Sequence, residues 1–217
     1  MTLLTNEIFY SIQGESTYTG WPCAFIRLSG CNLRCAYCDT RYAYDEGELM
    51  AIDEIVERVR GFGCSLVEIT GGEPLIQENT PKLVKRLLDC GYTVLMETNG
   101  SLNISSVDPR CVKIVDFKCP SSGELDSNDL ENISRLHEHD EVKCVLADRN
   151  DYLFACEIVE MIRCRQGKSR GCTINFSPVC GSLDPRELAE WILADRLPVR
   201  LNLQIHKYIW SSEQRGV

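Results

Sequence analysis

Seven short runs of apolar and β-branched residues recur along the chain, and each run predicts a buried β-strand. Helix-like stretches fill most of the gaps between the runs. Where strands alternate with helices, right-handed βαβ units on a parallel sheet are expected. The predicted strands cover residues 24–29, 66–70, 93–97, 112–117, 142–146, 173–176 and 199–205, and the predicted helices cover 53–61, 80–91, 128–137, 151–165 and 184–194.

The number of units sets the expected fold class. A complete eightfold (β/α) barrel takes about 250 residues, whereas this chain has 217. The sequence therefore predicts an α/β fold with a mostly parallel sheet, arranged as an incomplete or minimal (β/α) barrel in a single domain over 1–217. Polar residues or glycines follow six of the seven predicted strands, and in such folds the carboxyl ends of the strands form the functional face.

Composition and charge restrict the function and the compartment. The chain has 23 Lys and Arg against 32 Asp and Glu, a formal net charge of −9, which argues against a nucleic-acid partner. No apolar run is long enough for a membrane span, and the N-terminus lacks a secretory signal, so we expect a cytoplasmic protein. The 13 cysteines cannot all pair, and in a reducing compartment they serve as thiols, metal ligands or catalysts.

Three of these cysteines follow the first predicted strand. Cys31, Cys35 and Cys38 stand three and two residues apart, and a compact loop with this spacing can direct three thiolates toward one metal centre. A structural zinc site normally has a fourth Cys or His ligand, whereas a cluster with three protein ligands leaves one iron free to bind something else. We read the other ten cysteines as packing residues or incidental thiols, because they are not grouped.

The cysteine loop resembles that of radical S-adenosylmethionine enzymes. Tyr37 supplies the aromatic residue before the last cysteine, and the segment 70–74, with the sequence TGGEP, follows the next strand as the methionine site does in that family. The resemblance implies that the three cysteines hold a four-iron four-sulfur cluster and that its free iron chelates S-adenosylmethionine.

Further segments resemble one group within that superfamily, the 7-carboxy-7-deazaguanine synthases. They are residues 7–15, 20–28, 38–40, 116–121 and 203–210. The resemblance implies that a 5′-deoxyadenosyl radical takes hydrogen from carbon 6 of 6-carboxy-5,6,7,8-tetrahydropterin, which contracts its ring and loses ammonia to give 7-carboxy-7-deazaguanine, a precursor in queuosine-type biosynthesis. It also implies Mg²⁺, an electron donor of the flavodoxin or ferredoxin type, and a homodimer. Ser16 is a departure, because the family usually has glycine there.

The same resemblance implies the site residues. Arg27 is expected to bind the substrate carboxylate, with a structural salt bridge as the competing interpretation, and Thr40 is expected to bind Mg²⁺. The expected substrate-binding residues are Ile12, Gln13, Gly14, Glu15, Arg27, Thr70 and His206. The expected S-adenosylmethionine-binding residues are Tyr37, Cys38, Asp39, Gly72, Glu73, Lys118, Pro120, Ser121 and Ser177.

Two alternatives follow from the cysteine loop alone. One is an activase that makes a glycyl radical on a partner protein, although that would leave Gln13, Gly14 and Glu15 unexplained. The other is a zinc-binding interaction module with three thiolates and His206. The remaining histidines, His137 and His139, lie in a charged stretch that we interpret as a solvated helix end with its rings on different faces.

Overall fold

The computed structural model describes residues 1–166, 171–211 and 214–217. Within these ranges nine strands form one open sheet in the order β3-β1-β2-β4-β5-β6-β7-β8-β9. Strands β2 and β4 to β9 are parallel, and β1 runs antiparallel to both β2 and β3. The strands are β1 Thr2–Ile12, β2 Pro22–Leu28, β3 Glu48–Ala51, β4 Leu66–Gly71, β5 Thr93–Thr98, β6 Val112–Asp116, β7 Glu141–Leu146, β8 Thr173–Pro178 and β9 Arg200–Leu201. The predicted fold class, an incomplete barrel with a mostly parallel sheet, is confirmed.

Six α-helices accompany the sheet in the described part of the chain, and none of them has the length and apolar character needed to span a membrane. Asp184 caps the helix that follows it, because its carboxylate accepts the backbone N–H of Arg186 at 2.8 Å. The hydroxyl of Thr80 instead donates to the carbonyl of Pro74 at 2.6 Å. The helices are α1 Ile52–Gly61, α2 Thr80–Asp89, α3 Asn132–Arg135, α4 Arg149–Gln166, α5 Pro185–Asp195 and α6 His206–Ile209.

The structure corrects two of the predicted elements and adds three that were not predicted. The strand expected over 199–205 shrinks to β9, and the helix expected over 128–137 shrinks to the single turn α3; strands β1 and β3 and the short helix α6 were not predicted. In the segment 128–137 the Asn128 and Asn132 side chains bond to the backbone of Lys118 and Gly100, which competes with a helix. His137 and His139 consequently stack in parallel with ring centroids 5.5 Å apart.

The two faces of the sheet differ in character. Alternate residues of a strand point to opposite faces, and in β4 the buried Val67 and Ile69 pack into a hydrophobic cluster with α1 and α2. A second cluster joins β6, β7 and β8 to α4 and α5. Glu68, which lies between Val67 and Ile69, therefore points to the inner face, where the sheet curves around a cavity.

The loop between β1 and β2 closes one side of that cavity and is held by buried polar groups. Its residue Ser16 has a φ of 63°, in the left-handed region that favours glycine. The Ser16 hydroxyl accepts the N–H of Tyr18 at 3.1 Å, and its carbonyl accepts Arg200 Nη1 at 2.5 Å. The Glu141 carboxylate accepts the N–H of Thr17 at 3.0 Å. Ser16 thus holds a backbone conformation that glycine would adopt more readily.

We expect Ser16→Gly to be more stable than Ser16→Ala by about 1 kcal/mol. Both variants lose the hydroxyl that accepts from Tyr18, but only alanine keeps a Cβ at positive φ. The free energy of unfolding, measured by urea titration of both variants and the parent, tests this. Equal stability of the two variants, or a more stable alanine variant, would show that the loop relaxes to another conformation.

Candidate active site

A cavity of about 810 Å³ opens at the carboxyl ends of the parallel strands. It is lined by the loop after β1, the cysteine loop after β2, the ends of β4 to β7, and the segment around α6. All seven expected substrate-binding residues line it, as do the three cysteines of the loop, Thr40, and the expected cofactor-binding residues Tyr37, Asp39, Gly72 and Lys118.

The cysteine loop and the end of β4 approach each other closely. A Cβ at Gly72 would overlap the carbonyl of Gly30 and the side chain of Cys31, and a Cβ at Gly71, whose φ is 140°, would overlap the backbone of Leu28. The two glycines of the TGGEP segment therefore let this strand end lie against the loop. All three thiols of the loop are free and half-buried, and Cys31 Sγ accepts the N–H of Leu33 at 3.4 Å.

Four of the expected cofactor-binding residues lie outside the cavity lining. The Glu73 carboxylate is wholly buried and accepts from Thr98 Oγ1 at 2.8 Å and from the N–H of Asn99 at 2.6 Å. Ser177 is buried against Asn202. Pro120 begins a single 3₁₀ turn, and the N–H of Ser121 donates to Asp151 at 2.8 Å. The binding roles of these four residues stay predictions.

Asp39 and Thr40 lie at the end of the cysteine loop. The Thr40 hydroxyl donates to Asp39 Oδ1 at 3.0 Å, and the other carboxylate oxygen of Asp39 pairs with Lys207 Nζ at 2.6 Å. Burial opposes ionisation of Asp39, but Lys207 outweighs it and holds the pKa of the carboxyl well below its usual range. Because the hydroxyl proton of Thr40 goes to Asp39, the oxygen lone pairs stay available to a cation.

The loop after β1 brings Gly14 and Glu15 to the cavity wall. A Cβ at Gly14 would overlap the ring of His206, so glycine at this position makes room for the imidazole. Burial lowers the pKa of His206, with the nearby Glu15 opposing that shift. Glu15 Oε1 in turn accepts from Gln204 Nε2 at 2.8 Å. These contacts connect the first loop of the chain to the segment around α6.

Three charged residues on the inner face of the sheet were missed by the sequence analysis: Glu68 on β4, Glu97 on β5 and Lys143 on β7. Lys143 Nζ lies 2.7 Å from Glu15 Oε2 and 2.9 Å from Glu97 Oε1. Burial opposes the charge on Lys143, but the two carboxylates outweigh it and raise its pKa. A lone charge in the middle of a central apolar strand was the available signal, because such a charge is rarely buried without a partner.

Arg27 lies on β2 and reaches into the cavity. Its Nε donates to Glu7 Oε1 at 2.8 Å, and its guanidinium lies 5.6 Å from the centroid of the Phe9 ring and 5.8 Å from that of Tyr42. The competing interpretation of a salt bridge is therefore correct for Nε. Within the part of the chain that the structure describes, the two Nη atoms have no hydrogen-bond partner, so one edge of the guanidinium still faces the cavity.

Known proteins resemble this chain over almost its whole length. The model of the Radical SAM superfamily matches residues 25–113. A 7-carboxy-7-deazaguanine synthase from Chlorobaculum tepidum is 51% identical over 98% of this chain and 96% of its own length, and synthases of the same name from Koribacter versatilis and Thermoplasma acidophilum are 46% and 37% identical. The chain belongs to the 7-carboxy-7-deazaguanine synthase family. It is a radical S-adenosylmethionine enzyme.

Solved structures agree with this at the level of the fold. QueE from Escherichia coli superposes with a TM-score of 0.73 at 24% identity, over 94% of both chains. SuiB from Streptococcus suis, solved with its precursor peptide, gives a TM-score of 0.59 at 13% identity and covers 80% of this chain but 46% of its own. At these identities the likeness concerns the architecture of the domain.

Replacing Lys143 with Met should destabilise the protein by about 3 kcal/mol or more, because Glu15 and Glu97 would be left in the cavity without a counter-charge. This loss of unfolding free energy should become smaller as the pH is lowered, since protonation of Glu15 and Glu97 removes the unpaired charges. The exposed pair Lys85–Asp89, 2.8 Å apart, provides the control, and Lys85→Met should change stability by less than about 1 kcal/mol. Urea unfolding of both variants at pH 5.5 and pH 7.5 measures the two effects. Equal losses in the two variants would contradict the role given to Lys143.

Proposed function

We propose that this enzyme converts 6-carboxy-5,6,7,8-tetrahydropterin to 7-carboxy-7-deazaguanine with loss of ammonia. The observation that carries the proposal is that one cavity joins two sets of groups. Three thiols without disulfide partners line it, and so do Arg27, Glu15 and His206. The membership of the synthase family supports this reaction over a glycyl-radical activase or a zinc-binding interaction module.

The donor set suits an iron-sulfur cluster. Cys31, Cys35 and Cys38 would hold it, and three thiolates leave one iron open for S-adenosylmethionine. When bound, the cluster and S-adenosylmethionine supply the radical that removes hydrogen from carbon 6 of the pterin. The close approach of Gly72 to Cys31 fixes the wall on which we expect the methionine group to lie.

The residues of the chain would then orient the substrate and exclude water. The free edge of Arg27 suits the substrate carboxylate, because a guanidinium can bind a carboxylate through two parallel hydrogen bonds. Glu15 and Glu97, held by Lys143, offer acceptors to the N–H groups of a pterin. Thr40 would bind Mg²⁺ through its hydroxyl oxygen, with the cation as a template for the substrate carboxylate.

Further features belong to the same proposal. The enzyme needs single electrons, so we expect a donor of the flavodoxin or ferredoxin type. We also expect a homodimer, a single catalytic domain over 1–217, and a cytoplasmic location in which the thiols stay reduced. Gel filtration with light scattering tests the expected dimer.

Product analysis after anaerobic incubation with S-adenosylmethionine, dithionite and the carboxypterin tests the proposed reaction. We expect 7-carboxy-7-deazaguanine, and its absence from the products of an iron-loaded enzyme would overturn the proposal.

Replacing Cys31, Cys35 or Cys38 with Ala should abolish both bound iron and cleavage of S-adenosylmethionine, because two thiolates do not hold an open-site cluster. Replacing Cys90, which is exposed, should leave the iron content unchanged.

Arg27→Ala should raise the dissociation constant of the carboxypterin tenfold or more, a change on the order of 1.4 kcal/mol per decade. Arg27→Lys keeps the charge but loses the planar group that can form two parallel hydrogen bonds, so this variant should also bind the carboxypterin weakly. Binding of S-adenosylmethionine should stay nearly unchanged in both variants. Calorimetric titration of each ligand, with Glu7→Gln as the control, separates this role from the salt bridge. Glu7→Gln weakens the salt bridge but keeps the guanidinium of Arg27. Normal carboxypterin binding by Arg27→Ala would show that the guanidinium does not contact the substrate.

A further inference from the structure

Glu68 is a buried carboxyl group at the floor of the cavity, and the mechanism above gives it no role. The residue is 4% exposed and lines the cavity from the middle of β4. Gln13 Nε2 donates a short hydrogen bond to Glu68 Oε2. Among the described residues no basic side chain pairs with Glu68, although the ammonium of Lys143 is occupied with two other carboxylates close by.

The orientation of the Gln13 amide is fixed by the backbone. Gln13 Oε1 accepts the N–H of Glu15 at 3.0 Å, so the amide nitrogen must face Glu68. Glu68 Oε2 is therefore an acceptor, and a proton on this carboxyl group must sit on Oε1. In the described part of the chain no hydrogen bond to Oε1 is formed, and this oxygen is left to the cavity.

The charge balance of the floor favours a proton on Glu68. Three carboxyl groups, Glu15, Glu68 and Glu97, share one ammonium group. Full ionisation would leave two uncompensated negative charges in a largely buried space, which is unfavourable. Burial first, and then the charges of Glu97 and Glu15, raise the pKa of Glu68 to about 8, against the opposing effects of Gln13 and Lys143.

We propose that Glu68 is a substrate-binding residue that stays a neutral carboxylic acid and donates its O–H from Oε1 to an acceptor atom of the ligand. This inference rests on the proposed function, since a pterin offers such acceptors in its ring carbonyl and its unprotonated ring nitrogen. The other two carboxylates accept hydrogen bonds from N–H groups, so the floor presents one donor and two acceptors. A buried donor without a partner strongly disfavours ligands that lack the matching acceptor.

Cys23, Cys111, Glu15 and Lys143, four other titratable groups near Glu68, keep their protonation states between pH 7 and pH 9. Burial raises the pKa of Cys23 on β2, and it raises the pKa of Cys111, ahead of β6, to about 12. Glu15 and Gln204 belong to one network in which Lys143 holds the pKa of Glu15 low against the effect of burial. The pKa of Lys143 is raised above its ordinary value. Loss of ligand binding across this pH range would thus follow the loss of the Glu68 proton.

The test compares the dissociation constant of 6-carboxy-5,6,7,8-tetrahydropterin for the parent and Glu68→Gln from pH 6.5 to pH 9.5. A glutamine amide keeps an acceptor for Gln13 and an N–H donor for the ligand at every pH. We expect the parent to lose about tenfold in affinity relative to Glu68→Gln between pH 7 and pH 9, because a midpoint of about 8 removes the donor over that range. Titration of the ligand affects both proteins equally and cancels in the ratio.

Two further variants separate this role from a structural one. Glu141→Gln also neutralises a buried carboxylate that holds the loop after β1, but Glu141 is outside the cavity lining, so it should keep the pH dependence of the parent. Glu68→Leu removes the donor and should bind the pterin at least tenfold more weakly at pH 7. Identical pH profiles for the parent and Glu68→Gln, or pterin binding by Glu68→Leu equal to that of the parent, would overturn the proposal.

Infrared difference spectroscopy of the parent minus Glu68→Gln gives a reading that does not depend on any ligand. We expect a protonated-carboxyl carbonyl band that disappears with a midpoint near pH 8, and its absence at pH 6.5 would overturn the proposal. An enzyme that shows the band but binds no carboxypterin at any pH contradicts the proposed function. It then also contradicts the pterin as the acceptor of the Glu68 hydrogen bond. An enzyme that shows the band and binds pterin with unchanged profiles contradicts the role of Glu68 alone.

Discussion

The arrangement of the cavity depends on the two ion pairs that the ammonium group of Lys143 forms. This group lies within 2.9 Å of carboxylate oxygens from two other elements, Glu97 on β5 and Glu15 on the loop after β1. Without that positive charge Glu15 and Glu97 would lose the cation they share, and the loop after β1 would lose one of its attachments to the sheet. The two larger hydrophobic clusters lie on the opposite face, against the helices, and a smaller one lies on the inner face. Because most of the core is on the helix-covered face, the inner face can also carry charged residues.

A second constraint acts where β2 and β4 end. The parallel pairing brings Leu28 beside Gly71, and the absence of side chains at Gly71 and Gly72 lets the two backbones continue side by side into the cysteine loop. The Glu73 N–H donates to the carbonyl of Gly30 at 2.8 Å and completes this junction. The position of the three thiols therefore depends on backbone packing between neighbouring strand ends, which any Cβ at Gly72 would disturb.

The sequence predicted the parallel part of the fold well, because each central strand is a short segment rich in apolar and β-branched residues whose outward-facing side chains are buried against the helices. It did not predict β1, whose burial varies along its length, or β3, which is a short edge strand. At the site, local motifs identified the cysteine loop and the Gln13 to Glu15 segment. The roles of Glu68, Glu97 and Lys143 depend on which strands become neighbours across the cavity, and no local pattern contains that information. For Arg27 the sequence left two interpretations open, a salt bridge and a substrate contact. The geometry puts Nε in the salt bridge with Glu7 and leaves the Nη edge toward the cavity.

The buried Glu73 explains why an acidic residue is needed next to the two glycines even though it does not line the cavity. Its carboxylate accepts from Thr98 Oγ1 and from the N–H of Asn99 at the end of β5. Burial raises the pKa of Glu73, and these hydrogen bonds oppose that shift. Asn99, fixed in this way, also accepts from Ser101 Oγ at 2.6 Å through its Oδ1, which turns its Nδ2 toward Cys31 Sγ, 3.9 Å away. A carboxylate behind the cavity wall thus helps to set the direction of an N–H group that faces a thiol of the cysteine loop, so the motif acts through backbone and amide geometry.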